Sequence, residues 1–197
     1  TEAVICVLPT GGGKSLVFML LCLLEEARTT VVVVPLISLR SDMMRRFKDL
    51  KIQAQIWEKG QYPTSKVVVV SAEAACTTEF ITYCQTLISS QRLDRIVVDE
   101  CHLTLTQSGY RRSMSKLGCI RTLHTRFVYL TATLPPAIEP DFRRQNFLRA
   151  AKIVRASADR SAMIYARMFD RRKDGCTFLE SAGRIVMKLT TNLQGPG

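Results

Sequence analysis

Residues 7–15 read VLPTGGGKS, with three consecutive glycines between an apolar run and the pair Lys14-Ser15. Glycine loses more backbone freedom on folding than any other residue, so three in a row indicate a loop whose shape requires them. Residues 4–8 predict a buried strand before the loop, and residues 15–27 predict a buried helix after it, because both segments are mostly apolar. The quoted stretch therefore predicts a strand, a glycine loop and a helix in succession.

This loop has the composition of a phosphate-binding loop. Without Cβ atoms, its backbone N–H groups can converge on an anion at the N-terminus of the helix that follows. Lys14 can reach the terminal phosphates of a nucleotide, and the Ser15 hydroxyl can ligate Mg²⁺. The usual GxxxxGK(S/T) pattern is met only in the variant form PTGGGKS, since Leu8 stands at its first glycine position. The predicted nucleotide-binding residues are Pro9, Thr10, Gly11, Gly12, Gly13, Lys14 and Ser15.

Short apolar runs alternate with longer segments of helical spacing along the rest of the chain. Each run is mostly apolar on both faces, as in the strands of a parallel sheet covered by helices. The alternation predicts an α/β fold: an open, mostly parallel twisted sheet with helices on both faces and ligands at the carboxyl ends of the strands. The further strands are predicted at residues 30–34, 51–56, 67–70, 96–98, 127–131 and 153–154, and the further helices at 38–50 and 77–90.

Length and composition limit the domain organisation. The 197 residues, 47% apolar and 23% charged, are ordinary for a soluble globular protein. They suffice for one well-buried domain of about 150 residues and a remainder too short for a second core. We therefore expect one domain at residues 1–156 and a linker with an incomplete second unit at residues 157–197. No apolar run approaches the roughly 20 residues that span a bilayer, so no membrane partner is expected.

The positive charge of the chain is concentrated in its second half. Residues 111–173 contain 15 Lys and Arg against 4 Asp and Glu, while the whole chain has a net charge of +11. Clustered cations indicate a surface for a polyanion such as nucleic acid, because they displace counterions from phosphates. A solvated basic face is the alternative, and charge alone leaves both open.

Two carboxylates end another predicted strand. Residues 96–98 are followed by Asp99-Glu100-Cys101-His102, which the α/β fold places at the same sheet edge as the glycine loop. Asp99 suits the outer shell of Mg²⁺, and Glu100 suits the orientation and deprotonation of the water that attacks the γ-phosphate of a nucleotide. His102 taken alone is more typical of a structural histidine, but its place in this tetrapeptide favours a part in the site.

Five motifs in order resemble those of the superfamily 2 helicases and, within them, the RecQ-like DNA helicases. The resemblance covers roughly residues 3–160, and the segment PLISL at 35–39 is its most RecQ-like piece. It implies the first RecA-like lobe of an ATP-dependent DNA helicase that binds ATP and Mg²⁺. The motifs are PTGGGKS (9–15), VVPLISLRSDM (33–43), VVVSAEA (68–74), DECH (99–102) and LTATLPP (130–136).

The resemblance also implies roles for individual residues. Lys14, Asp99, Glu100 and His102 would be catalytic, and Ser15 and Asp99 would hold the metal. Ser38 and Ser71 would contact DNA, although each can equally well cap a helix. The further residues implied to contact single-stranded or partly duplex DNA are Arg40, Glu73, Tyr110 and Arg111, and those implied to couple ATP to movement are Gln107, Thr131 and Thr133.

The sequence departs from the RecQ-like pattern in two places. The aromatic-rich loop of the family corresponds here to LTLTQSGYRRSM (103–114), in which only Tyr110 is aromatic. Residues 161–192 resemble one strand and one helix of a second lobe that does not close, and that lobe normally provides an arginine finger. We therefore expect the chain alone to bind Mg-ATP modestly and to hydrolyse it slowly. The family implies an intracellular protein, nuclear in a eukaryote and cytoplasmic otherwise.

Two other functions remain open at this stage. An RNA helicase lobe shares the glycine loop and the acidic tetrapeptide, although PLISL (35–39) and TAT (131–133) favour DNA. A non-catalytic helicase remnant that binds nucleic acid would need only the basic second half of the chain.

Overall fold

A parallel sheet forms the centre of the protein. The computed structural model describes residues 3–11, 13–35, 37–105, 114 and 116–156, excepting the side chains of 37 and 38. In these residues seven strands pair in parallel throughout. They are β1 (Ala3–Val7), β2 (Thr29–Val34), β3 (Ala54–Ile56), β4 (Val67–Ser71), β5 (Leu93–Val98), β6 (Arg126–Thr131) and β7 (Lys152–Arg155). Their order across the sheet is β3-β4-β2-β5-β6-β1-β7.

Helices connect the strands. They are α1 (Leu16–Cys22), α2 (Ile37–Asp49), α3 (Ala72–Ala75), α4 (Thr78–Ser89) and α5 (Glu139–Gln145), with 3-10 turns at Cys101–Leu105, Leu117–Thr122 and Pro136–Ile138. Within the described part of the chain, no helix is both long and apolar enough to cross a membrane.

The strand residues alternate between two apolar cores, one on each face of the sheet. Val31 and Val33 of β2 belong to the core that α4 covers, through Phe80 among others, whereas Val32 and Val34 belong to the core that α1 and α2 cover. Successive residues of a strand point to opposite faces, so strands buried on both faces must be apolar throughout. The predicted α/β sheet with helices on both faces is confirmed.

All seven predicted strands are present, but the one predicted at 51–56 is shorter. Lys51 has a φ of +56° and closes α2, with its N–H donating to the Lys48 carbonyl at 3.0 Å. The Ile52 N–H donates to the Phe47 carbonyl at 2.9 Å. This pair of bonds is a Schellman motif, which usually places glycine at the left-handed position. Because lysine is not typical of this position, the sequence pattern does not reveal the end of α2 and predicts the strand too early, from residue 51. In the structure β3 begins at Ala54.

The prediction of a buried helix over 15–27 is wrong in length and in burial. The helix α1 ends at Cys22, and the carboxylates of Glu25 and Glu26, which would oppose the dipole at a helix C-terminus, lie beyond it. Only one side of α1 is buried, by Phe18, Met19 and Cys22. The leucines on its other side are exposed, with Leu20 at 57%. An apolar composition all round usually indicates a buried helix, and tertiary packing overrides that signal here.

Several cations of the basic second half serve the fold. Arg143 and Arg155 pair with Glu139, and the Arg121 guanidinium lies 4.4 Å from the centre of the Phe127 ring. Part of the excess positive charge is therefore engaged in contacts within the protein. The surface for a polyanion stays a prediction. The proposed boundary at residue 156 also stays a prediction, since residues 157–197 lie outside the described part.

Candidate nucleotide-binding site

The glycine loop joins β1 to α1, as predicted. Gly11 and Gly13 have φ of +80° and +73°, in the left-handed region that favours glycine. A Cβ at Gly11 would meet no protein atom within 4 Å, so the backbone conformation requires glycine there, and neighbouring side chains do not. Gly12 lies outside the described residues.

The two predicted metal ligands, Ser15 and Asp99, line one cavity of about 590 Å³. Thr10, Lys14 and Ser15 border it from the loop, and Asp99 and Glu100 border it from the end of β5. Ser15 stands at the start of α1, but its side chain makes no capping hydrogen bond. Its hydroxyl is therefore not committed to the helix, which suits a metal ligand.

The acidic pair leaves β5 through a strained turn. The Asp99 N–H donates to the Val33 carbonyl at 3.0 Å, which continues the pairing with β2 by one residue. Glu100 then has a φ of +46°, uncommon for a residue with a side chain. The Glu100 N–H donates to Asp99 Oδ1 at 2.9 Å and compensates part of that cost. Such strain concentrates at functional sites.

Burial raises the pKa of the Asp99 carboxyl above its ordinary value, and the negative charge of Glu100 adds to the rise. The hydrogen bond from the Glu100 N–H and the charges of Lys14 and Arg46 act in the opposite direction. An ionised Asp99 is therefore short of positive partners. A divalent cation in the cavity would supply the missing charge.

Glu100, His102 and Thr131 form a continuous polar network. Glu100 Oε1 lies 3.7 Å from Lys14 Nζ, and Glu100 Oε2 lies 3.4 Å from His102 Nδ1. His102 Nδ1 also lies 2.9 Å from Thr131 Oγ1, which accepts from the Thr133 N–H and donates to the Thr133 carbonyl, both at 3.1 Å. A hydroxyl has only one proton to donate. When Thr131 donates that proton to the Thr133 carbonyl, its oxygen accepts a hydrogen bond from His102 Nδ1–H.

The predicted DNA contacts lie at the ends of neighbouring strands, on the other side of β5 from the glycine loop. Ser71 ends β4, pairs in register with Val34, and accepts from the Ala74 N–H at 3.3 Å, so it does cap α3. Glu73 is exposed in the same helix, and Arg40 lies half-buried in the first turn of α2, which also contains the backbone of Ser38. Gln107, Tyr110 and Arg111 lie outside the described residues.

The helix α2 provides one wall of the cavity, which the motifs of the sequence do not predict. Leu39 and Met43 line the cavity from this helix, together with Asp42 and Arg46, which pair at 2.9 Å. Arg46 acts on the charge of Asp99 from this position. The only signal was the i,i+4 spacing of the pair, which usually indicates a solvated helix face.

Comparison with known proteins gives the family of the chain. Residues 1–140 match the DEAD/DEAH box helicases. The chain belongs to this family. Its relatives within the helicases are RecQ-like: it is 32% identical over 159 residues to ATP-dependent DNA helicase Q5 of Mus musculus. It is 28% identical over 190 residues to ATP-dependent DNA helicase RecQ of Bacillus subtilis (strain 168). The predicted RecQ-like helicase lobe is confirmed.

This helicase chain corresponds to a minor part of its relatives. The match takes in 71% of this chain and 16% of the mouse protein, and 86% of this chain and 31% of the Bacillus protein. Similarity to RecQ-like DNA helicase BLM of Xenopus laevis, 29% over 180 residues, takes in 13% of that protein.

Solved helicase structures share the fold. The L327V variant of S. cerevisiae Dbp5, bound to RNA and ADP BeF3, has a TM-score of 0.56 at 18% identity, over 79% of this chain and 42% of that one. The DUF1998 helicase MrfA has a TM-score of 0.53 at 17% identity, over 78% of this chain and 28% of that one. These likenesses confirm the RecA-like α/β architecture.

Proposed function

We propose that this chain is the first RecA-like lobe of an ATP-dependent, RecQ-like DNA helicase. It binds Mg-ATP and the backbone of single-stranded or partly duplex DNA, and it hydrolyses ATP when a second RecA-like lobe of the same protein closes over the nucleotide. The cavity that brings the glycine loop against Asp99 and Glu100 carries the proposal. The protein would work where its DNA is, in the nucleus of a eukaryote or the cytoplasm of a bacterium.

The residues present fit a magnesium nucleotide. Gly11 and Gly13 have left-handed φ values, which recur in the backbone nests that bind anions, and Lys14 adds a cation to the same cavity. The hydroxyl of Ser15 and the carboxylate of Asp99 are the oxygen donors that Mg²⁺ prefers. Bound Mg²⁺ would neutralise phosphate charge and orient the γ-phosphate.

Glu100 is the proposed base. Its carboxylate would orient the attacking water and accept its proton as the oxygen approaches the γ-phosphate. The ion pair with Lys14 and the neighbouring His102 ring favour one orientation of the Glu100 carboxylate before substrate arrives. Thr131 and Thr133 would pass a change at His102 to the turn after β6.

DNA is the proposed nucleic acid because the curated relatives are named DNA helicases. The contact surface would be the edge formed by the ends of β4 and β2, with Ser71 and Arg40. An RNA helicase lobe is the rival. Comparing the binding of labelled oligo-dT and oligo-U at one salt concentration separates them, and tighter binding of oligo-U would reject the DNA assignment.

Calorimetry of Mg-ATP binding tests the nucleotide site. Lys14→Ala should weaken binding about 10- to 100-fold, since a hydrogen bond to a charged group contributes roughly 1.5–3 kcal/mol. Glu100→Gln should leave affinity nearly unchanged, because Glu100 is assigned to the attacking water and not to the phosphates.

The matched control is Lys59→Ala, which removes a lysine that is 81% exposed beside β3, at the far edge of the sheet. Its affinity should equal that of the unaltered chain. Equal affinities for Lys14→Ala and Lys59→Ala would mean that the phosphates bind elsewhere.

A further inference from the structure

The turn after β6 fixes the hydroxyl that His102 contacts. Thr131 is the last residue of β6, and its side chain bonds both backbone groups of Thr133 at 3.1 Å. The Thr131 carbonyl accepts from the Leu8 N–H at 2.9 Å, beside the glycine loop. The position of Thr131 Oγ1 therefore depends on the conformation of the turn that follows it.

Arg155 holds the far side of that turn. Its Nη1 donates to the Leu134 carbonyl at 2.5 Å, and its Nη2 donates to Glu139 Oε2 at 2.6 Å. Both nitrogens belong to one rigid, planar guanidinium, so the two bonds set the orientation of the turn as well as its distance. The Leu134 side chain is buried, which anchors the turn from the other side.

Glu139 is itself fixed by a second arginine. Arg143 Nε donates to Glu139 Oε1 at 2.8 Å, and Arg143 Nη1 donates to the Ala151 carbonyl, just before β7, at 2.9 Å. The hydrogen bonds from Arg155 and Arg143 lower the pKa of the Glu139 carboxyl. The acceptor for Arg155 is therefore charged and held at neutral pH.

Three segments meet at Arg155. It is the last residue of β7, the edge strand that pairs with β1, and it lies in register with Val7. The Ala156 N–H donates to the Val7 carbonyl at 3.0 Å, and Val7 ends β1 just before the glycine loop. A displacement of the chain at residue 156 thus acts on the loop through the backbone and on the turn through Arg155.

We propose that Arg155 is a positioning residue that couples the chain leaving β7 to the contact between His102 and Thr131. When residue 156 is displaced, the bond from Arg155 to Leu134 is strained, the turn relaxes, and the Thr131 hydroxyl moves relative to His102. By thermodynamic linkage the effect is reciprocal, so a change in the hydrogen bond of His102 also changes the preferred position of the backbone at residue 156. This role rests on the proposed nucleotide site, because Glu100 and His102 matter for ATP only there.

The two histidines of the chain allow a direct test, because only His102 and His124 give imidazole ¹⁵N signals. His124 is exposed and precedes β6 at its opposite end from Thr131. At one fixed pH, Arg155→Ala should shift the His102 Nδ1 resonance, which reports its hydrogen bond, and leave His124 in place. Arg144→Ala, an exposed arginine of α5 paired only with Asp141 in the described residues, should shift neither.

A milder variant and an outcome that would contradict the proposal complete the test. Glu139→Gln keeps the side-chain shape and an acceptor oxygen, so it should shift His102 in the same direction by less. An unchanged His102 signal in Arg155→Ala and Glu139→Gln, with a lowered unfolding temperature, would show that Arg155 only stabilises the fold and would overturn the proposal. A chain that bound no Mg-ATP yet showed the His102 shift would reject the proposed function and leave the link between Arg155 and His102 intact.

Discussion

Asp99 combines a structural cost with the proposed role of holding a metal ion. Its carboxylate follows a strand that is fully buried at Ile96, Val97 and Val98, and it is adjacent to Glu100, so its ionised form is penalised by burial and by like charge. A site that binds a divalent cation gains from this arrangement, because the cation relieves both penalties. Stability and metal affinity should therefore respond in opposite directions to the loss of this charge.

Asp99→Asn should raise the midpoint of thermal unfolding at neutral pH by about 2–4 °C, which corresponds to roughly 1 kcal/mol for a chain of this size. A folded-state pKa that is raised means that the ionised form costs stability above that pKa, and the amide removes the cost. The amide oxygen can still accept from the Glu100 N–H. The same variant should lose the magnesium dependence of nucleotide binding.

Asp94→Asn is the matched control, since Asp94 lies on the same strand but accepts from the Arg28 N–H at 2.8 Å and pairs with Arg95. It should not stabilise the protein. If both variants changed the unfolding midpoint alike, the special environment assigned to Asp99 would be wrong.

The helix α1 is apolar on all sides, yet it has one buried and one exposed face. Phe18 is 1% exposed and meets the Phe47 ring of α2 edge to face, with ring centres 6.1 Å apart. Leu20, two residues on, is 57% exposed. Hydropathy does not distinguish these positions, because the choice of face depends on where the sheet and α2 lie.

Denaturant unfolding of two variants of α1 checks this division. Phe18→Ala should lower the free energy of unfolding by about 3–5 kcal/mol, because it opens a cavity between α1, α2 and the sheet. Leu20→Gln should change it by about 0.5 kcal/mol or less, since glutamine is a good helix former and the site is exposed. A large loss for Leu20→Gln would show that its side chain is covered in solution.

The first turn of α5 should make stability pH-dependent. Arg155 and Arg143 lower the pKa of Glu139, so its contribution is fully present above the unfolded-state value of about 4.3 and is lost as the pH falls through the folded-state value. Compared with Glu139→Gln, the natural chain should be more stable at neutral pH by at most about 1 kcal/mol, because solvent screens these two partly exposed ion pairs. The difference should shrink below about pH 4 in unfolding titrations.

The Asp141→Asn variant removes a charge from the same helix, where the carboxylate is more than half exposed, and should change stability by less. A difference between the natural chain and Glu139→Gln that grew as the pH fell would contradict the assignment of these ion pairs.

The ends of the helices show where sequence patterns lose information. Gln91 and Phe147 have φ of +53° and +54°, and close α4 and α5 as Lys51 closes α2. The following N–H groups bond back to Leu87 and Arg143 at 2.7 and 2.8 Å. A glycine at either position would have predicted the end of the helix from the sequence. The conformational free energy that a side chain costs in the left-handed region is small enough for tertiary packing to offset it.

Across the whole molecule, stability should fall from the centre of the sheet to its edges. Every residue of β2 is buried and lies between β4 and β5, whereas β3 and β7 have one neighbour each among the described strands. Local opening costs least where few buried contacts hold the backbone. Amide hydrogen exchange should therefore be slowest in β2 and faster in β7, and β7 exchanging more slowly than β2 would contradict this order of stability.

The amino-acid sequence was enough to predict seven strands of a parallel sheet, the helices α2 and α4, and the glycine loop and acidic tetrapeptide of the candidate site. Apolar alternation and glycine placement are local signals, and residues 9–15 and 99–102 contain them within a few positions. Three features can be seen only in the folded chain: Arg46 acts on the charge of Asp99, one side of α1 is exposed, and Arg155 reaches Leu134 and Glu139. All three features depend on how segments that are distant in the chain pack together. The order of strands across the sheet sets that packing, and no local sequence pattern specifies it.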